Sequence, residues 1–415
     1  MMFHKAPLGA RSNAMTSKIA APLRWTALGR MKLSRAALLT ALVASVLVLA
    51  GACATAPVTT EAGPDIRLEV VEWARLAQNA HNIQPWRVVL DRADPTGMTL
   101  YVDAEKLLPE TDPPARQVTI SMGNFLAVLE ARAAQLGYAA DIYLFPKGEY
   151  DLSTIGELPV AEIQLQAAGS RAAEGETVAR YPRAAEPDAI TTPTVKYRLR
   201  PADLPSGMAE QVAGYATPDI RFSLISDPEE VTWLNELSAD AFSLEMRTPA
   251  TLMESYDLMR VNRRERREQP YGLSLTANFP VRSLWFIDLV QSIAPQDPEA
   301  FGRTGTRIFT EALEEITHYV MIVSSDNSRA TQVETGMALQ ALWMEFHAAG
   351  HVLLPSSQAL QEYPEMSPLY DRIHTRYAGD GETIQMLLAV ARPRPGRHLF
   401  GPRLPVADLV EVPDG

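Results

Sequence analysis

The chain has 415 residues, 47% of them hydrophobic and 21% charged, with 38 Lys+Arg against 50 Asp+Glu. This excludes a lone small module, a disordered or collagen-like chain and a multi-span membrane protein, and fits two or three domains or one large pseudo-symmetric one. Residues 1–53 hold seven basic residues and no acid, leaving a body with 31 basic and 50 acidic groups, a charge that repels nucleic acid and anionic lipid. One cysteine permits no internal disulfide and no zinc or iron–sulfur cluster, so redox chemistry here needs a bound organic cofactor.

The N-terminal segment reads as an address. Lys32 and Arg35 precede seventeen uncharged residues, 36–52, mostly Ala, Leu and Val, which end in Ala50-Gly51-Ala52-Cys53. A basic start, a short apolar run and small residues make a signal sequence of residues 1–53, with Met31 an equally good beginning. Cys53 resembles the lipidated cysteine of a bacterial lipobox; cleavage at an Ala-x-Ala site over 52–54, or an uncleaved anchor, are the other readings. The expected location is the cell envelope, as an anchored lipoprotein or a periplasmic protein, with residues 54–63 as a flexible linker. Membrane contact is expected only through that lipid anchor or signal segment.

The body follows as elements. Val70, Trp73, Ala74 and Ala77 mark a helix after Pro64-Asp65, and residues 87–90 and 99–102 form a hairpin across the turn Asp94-Pro95-Thr96-Gly97. Val118, Met122, Phe125, Leu129, Ala133 and Leu136 recur at three and four residues, which predicts a helix that Pro113-Pro114 open and Gly137 ends, with a strand at 142–145. Residues 167–195, rich in Ala, Glu, Pro and Thr, read as a crossover. Beyond it the pattern predicts helices near 229–247, 307–317, 328–349 and 366–378, strands near 318–323 and 384–391, and a short run at 352–354.

One pattern occurs twice. Arg116, Gly123, Leu126, Leu129 and Gly137 are matched in order by Arg329, Gly336, Leu339, Leu342 and Gly350, every pair set apart by one constant offset. The repeat predicts two similar lobes, 64–190 and 191–415, in an α+β fold whose antiparallel or mixed sheets are flanked by helices. Gly123 and Gly336 stand inside amphipathic helices, where glycine is unfavourable, so their recurrence predicts close helix–helix packing. Arg116 and Arg329 read as structural anchors.

Chemistry concentrates between the first helix and the first strand, in Asn79-Ala80-His81-Asn82-Ile83-Gln84-Pro85-Trp86-Arg87. Such a loop can present donors to a planar ligand, or be a helix terminus whose amides satisfy the local backbone. The H-N-x-Q-P-W run resembles the flavin-contacting signature of the nitroreductase family. Further segments resemble its Acg branch of FMN-binding proteins with two fused lobes: residues 108–116, 196–201, 350–358 and 392–397. The usual Pro-Ser before the H-N pair is Gln78-Asn79 here. The resemblance implies one FMN per chain, with Asn79, His81, Asn82 and Gln84 at the ring, Pro355, Ser356 and Ser357 at its other edge, and Arg198, Arg200 and Arg397 at the phosphate. It implies two-electron transfer to a quinone-like, nitroaromatic or other conjugated small-molecule acceptor, with NAD(P)H or another donor, in a monomer or homodimer. The other function it leaves open is flavin binding or sequestration without catalysis, under a lid at 250–275. No G-x-S-x-G or H-E-x-x-H supports a hydrolase or metalloenzyme, and Gly350 separates His347 from His351.

Overall fold

The computed structural model describes residues 65–167, 194–196, 198–274, 281–293, 297–395 and 399–413. The segments expected to be a signal sequence, a linker and most of the crossover lie outside the described residues, as do Cys53 and Arg397.

The first lobe opens with α1 (Ile66–Ala74), capped by the Asp65 carboxylate, which accepts the Arg67 backbone N–H at 2.9 Å. Strands β1 (Trp86–Leu90) and β2 (Gly97–Val102) form the expected hairpin, with Trp86 opposite Val102 and Leu90 opposite Met98. Helix α2 (Arg116–Gln135) ends before Gly137, whose φ of +80° only glycine adopts cheaply. Strands β3 (Tyr138–Leu144) and β4 (Ala161–Ala167) complete this half.

The second half runs β5 (Leu199–Pro201), α3 (Met208–Ala213), β6 (Ile220–Ile225), α4 (Pro228–Glu245), α5 (Pro249–Asp257), β7 (Met259–Arg260), α6 (Arg263–Glu268) and β8 (Leu273–Ser274). It continues through α7 (Val281–Ile293), α8 (Pro298–Leu313), β9 (His318–Ser324), α9 (Arg329–Ala348), β10 (Val352–Pro355), α10 (Ser367–Tyr377), β11 (Thr383–Pro393) and β12 (Val410–Glu411). The pattern had placed a helix at 307–317. It starts well before that, because Pro298 occupies the first turn and the Asp297 carboxylate accepts from Ala300 N–H at 2.7 Å.

The fold is α+β, with sheets flanked by helices. One sheet has the order β12-β1-β2-β4-β3, a second β10-β11-β9-β6 with β5 also on β11, and β7 and β8 form a small parallel pair. Residues 319–323 of β9 and 386–391 of β11 are apolar because both faces are covered. Val320, Ile322, Leu388 and Val390 belong to the core that also holds α2 and α9, while Tyr319, Met321, Leu387 and Ala389 belong to the core with α4 and α8. Strand β12 pairs parallel with β1, so residues 410–411, expected in the second lobe, lie in the first lobe's sheet.

Helices α2 and α9 cross where the repeat places glycine. A Cβ on Gly123 would lie 2.0 Å from the Val333 carbonyl oxygen, and one on Gly336 would lie 2.0 Å from that of Ile120. Ile120 and Val333 are themselves related by the offset of the repeat, so the two halves make the same contact reciprocally, as across a twofold axis. The arginines obey the same rule. Buried Arg116 reaches into the second lobe, to Glu362 Oε1 at 2.7 Å, the Gln385 carbonyl at 2.8 Å and the Leu360 carbonyl. Arg329 reaches back to the Pro114 carbonyl at 2.7 Å and Thr119 Oγ1 at 3.1 Å.

Candidate functional site

The Asn79–Trp86 loop is held in an uncommon shape. His81, Asn82 and Gln84 have φ of 45°, 56° and 55°, a region that costs a non-glycine residue about 1 kcal/mol or more. Amide side chains sustain it. Asn79 Oδ1 accepts the Gln84 backbone N–H at 2.8 Å, and Asn79 Nδ2 donates to the Ala77 carbonyl at 3.1 Å. Asn82 Nδ2 donates to the Gly272 and Pro402 carbonyls, both at 2.9 Å, and Asn82 Oδ1 accepts from Arg403. Gln84 accepts the Leu404 N–H at 2.8 Å and donates to the Pro270 carbonyl at 3.0 Å. The loop thus clasps two distant segments, 270–272 and 402–404. Trp86 anchors its end, buried at 5.1 Å from the Phe125 ring.

That loop forms one wall of a cavity of about 820 Å³, a volume suited to a small molecule or cofactor. Gln117, Ile120, Ser121 and Asn124 of α2 form a second wall, and Leu339 and Trp343 of α9 a third. Phe242 and Phe309, stacked at 4.4 Å, and Met246 make an apolar side, and residues 259–261 and 272–274 also line the cavity. Among the described residues, the buried amide oxygens Asn124 Oδ1, Gln358 Oε1 and Gln361 Oε1 have no protein partner, and all three residues line this space.

Of the residues singled out from sequence, Asn79, His81, Asn82, Pro355 and Ser357 line this cavity together. Gln84 and Ser356 are fully buried outside its lining, Gln84 bound to protein and Ser356 donating its backbone N–H to the Leu387 carbonyl at 2.9 Å. Arg198 and Arg200 are exposed and outside the lining. The register explains it: Leu199 pairs with Pro393, whereas Pro355 pairs with Leu388, about 17 Å away along β11. The cations that do line the cavity are Lys196, Arg260 and Arg403. Lys196 begins the very segment from which the arginines were chosen; Arg260 lies in the segment expected to be a lid.

Three further groups escaped the sequence reading: Glu245, Ser255 and Gln361. Ser255 Oγ lies 3.3 Å from both His81 Nε2 and Glu245 Oε1, and Gln361 Nε2 donates to Glu245 Oε2 at 3.2 Å. Burial raises the Glu245 carboxyl to about 7, against the pull of Gln361, Lys196 and Ser255. Burial lowers the His81 imidazole to about 4, helped by Lys196, so His81 is neutral at physiological pH. Burial also lowers Lys196. No three His, Cys, Asp or Glu gather as metal ligands among the described residues.

No family model matches the chain. Two proteins, from two strains of Mycobacterium tuberculosis and both provisionally named NAD(P)H nitroreductases, are 35% identical to it over 101 residues. Those residues are 24% of this chain, which thus spans 28% of the length of these curated relatives. Among solved structures, the FMN-dependent nitroreductase of Mycobacterium smegmatis in complex with NADPH is 13% identical, with 49% of this chain and 84% of that one covered at a TM-score of 0.29. A nitroreductase-like family protein from Bacillus cereus is 10% identical, covering 59% of this chain and all of its own at 0.31.

Proposed function

We propose that this protein is an FMN-binding oxidoreductase of nitroreductase type, built as a fused pair of lobes with one flavin site. It takes two electrons from NAD(P)H or another donor and passes them to a quinone-like, nitroaromatic or other conjugated acceptor. One observation carries the reading: the loop picked for its flavin-like signature and, from a distant part of the chain, Pro355 and Ser357 border the same cavity.

The residues fit such a group. Partnerless amide oxygens suit the imide N–H edge of an isoalloxazine ring, Ile120, Leu339 and Trp343 suit its faces, and Lys196, Arg260 and Arg403 suit a phosphate. A bound flavin would supply reversible two-electron transfer, and the chain would orient it and keep water away. An asymmetry between the halves supports a single site per chain. Gln117, Ser121 and Asn124 line the cavity, but their counterparts in the repeat are Ala330, Glu334 and Met337, which offer a carboxylate and two apolar groups instead.

The clasp that Asn82 and Gln84 make on residues 270–272 and 402–404 favours one alternative, a closed protein that holds flavin without turning it over. The test is spectroscopic. Purified protein is expected to be yellow and to release FMN on denaturation; a colourless preparation that refuses added FMN would sink the reading. Anaerobic NADPH bleaching the bound flavin, with menadione restoring the colour, selects the enzyme over the store. We also propose that residues 1–53 export the chain and that Cys53 carries lipid, which mass spectrometry of the mature N-terminus checks.

A further inference from the structure

We infer that Glu245, Ser255 and His81 form a proton wire that carries a proton from the buried Glu245 carboxyl to the acceptor being reduced in the cavity. The inference rests on the oxidoreductase reading above.

Three elements converge to make the wire. Glu245 closes α4, Ser255 lies in α5, and His81 comes from the first-lobe loop, yet all three line one cavity. Ser255 Oγ bridges the other two at 3.3 Å on each side, and Glu245 Oε1 and His81 Nε2 are themselves 3.9 Å apart. The groups around the carboxyl are Lys196 from the segment before β5, Glu254 of α5, Gln361 and Tyr363 beyond β10, and His81. Burial outweighs the Lys196 cation, so the acid holds its proton up to about neutrality. A glutamine in its place would keep amide partners for Ser255 and Gln361 and avoid the cost of a buried acid, so stability alone does not account for Glu245.

The transfer balances. Reducing a quinone acceptor takes a hydride equivalent, which a reductant of the NAD(P)H class would supply, and one further proton on oxygen. As that O–H bond forms, the His81 Nδ1–H bond breaks. The Ser255 hydroxyl proton moves to His81 Nε2, and the Glu245 carboxyl proton moves to Ser255 Oγ. A carboxylate and the other imidazole tautomer remain, and solvent restores the proton. A neutral imidazole is suited to this, accepting on one nitrogen while donating from the other.

Two measurements on the full chain test the wire. Infrared difference spectra of the protein, with or without flavin, are expected to show a protonated carboxyl band that titrates near pH 7 and vanishes in Glu245→Gln. With menadione as acceptor at pH 6, Glu245→Gln and Ser255→Ala are expected to slow acceptor reduction about 100-fold. Anaerobic reduction by NADPH in the same variants should stay within about twofold, and the fall of turnover above neutral pH should disappear from both. If Glu245→Gln does not fold, Ser255→Ala breaks the wire with the acid in place. A parent-like rate and pH profile in the variants, or no carboxyl titrating near neutrality, overturns the inference while leaving the flavin site intact. A colourless protein overturns the function itself, whatever the infrared band shows.

Discussion

Each long-range arginine of the repeat serves the lobe it does not belong to. Arg116 is buried and satisfies two carbonyls and Glu362, so Arg116→Ala should cost about 3 kcal/mol in denaturant unfolding, and Arg329→Ala, less enclosed, should cost less. Equal small losses would contradict this. Glu245 and His81 give stability opposing pH slopes. The folded carboxyl titrates near 7 rather than 4.5, so its contribution falls as pH rises from about 4.5 to 7, by about 3 kcal/mol in all. The folded imidazole titrates near 4 rather than 6.5, so its contribution falls as pH drops through that window. Glu245→Gln should therefore gain on the parent at pH 8 but not at pH 4.5; a gain that does not change with pH would remove the buried-acid argument. For the phosphate, replacing Arg198 and Arg200 by Ala should leave the preference for FMN over riboflavin unchanged, whereas Arg260→Ala should reduce it about tenfold. Residue chemistry led the sequence reading to a loop that lines the cavity and to two arginines, Arg198 and Arg200, that do not. Guanidinium groups are recognisable in a sequence, but which end of a strand faces a cavity is decided by a register with residues in a distant part of the chain.

The paired helices show how much of an element can be read in advance. The spacing R-x6-G-x2-L-x2-L-x7-G marks α2 and α9, and their terminal glycines, Gly137 and Gly350, take the left-handed φ that a helix end favours. The internal glycines needed the structure, because only there does each face a carbonyl at 2.0 Å from any added Cβ. Backbone cannot retreat as a flexible side chain can. Gly123→Ala and Gly336→Ala should each lower stability by about 3 kcal/mol, the upper end for overpacking, and a thermal melt that shifts upward for either would refute the close approach. Strands β9 and β11 were legible as apolar runs. The pairing of β12 was not, since so short a strand carries no periodicity and its partner lies near the other end of the chain.

Over the whole chain, the C-terminal segment joins what the repeat divides. Residues 402–404 hold the Asn79–Gln84 loop, and β12 borders β1. Ending the chain at residue 398 should loosen that loop, lower the melting temperature and speed flavin loss in dialysis, with the tryptophan fluorescence of the α2–α9 core largely retained. The repeat marks two matching helices; the pairing of β12 with β1 it does not mark, because that depends on tertiary pairing that no local pattern encodes. It has a consequence for biosynthesis. The ribosome makes β1 and β2 of the first sheet early and the edge strand β12 more than 300 residues later, so that sheet remains unfinished until residues 410–411 have been made. Prosthetic-group capture then belongs to the finished polypeptide, and a stalled nascent chain should have no durable hold on it.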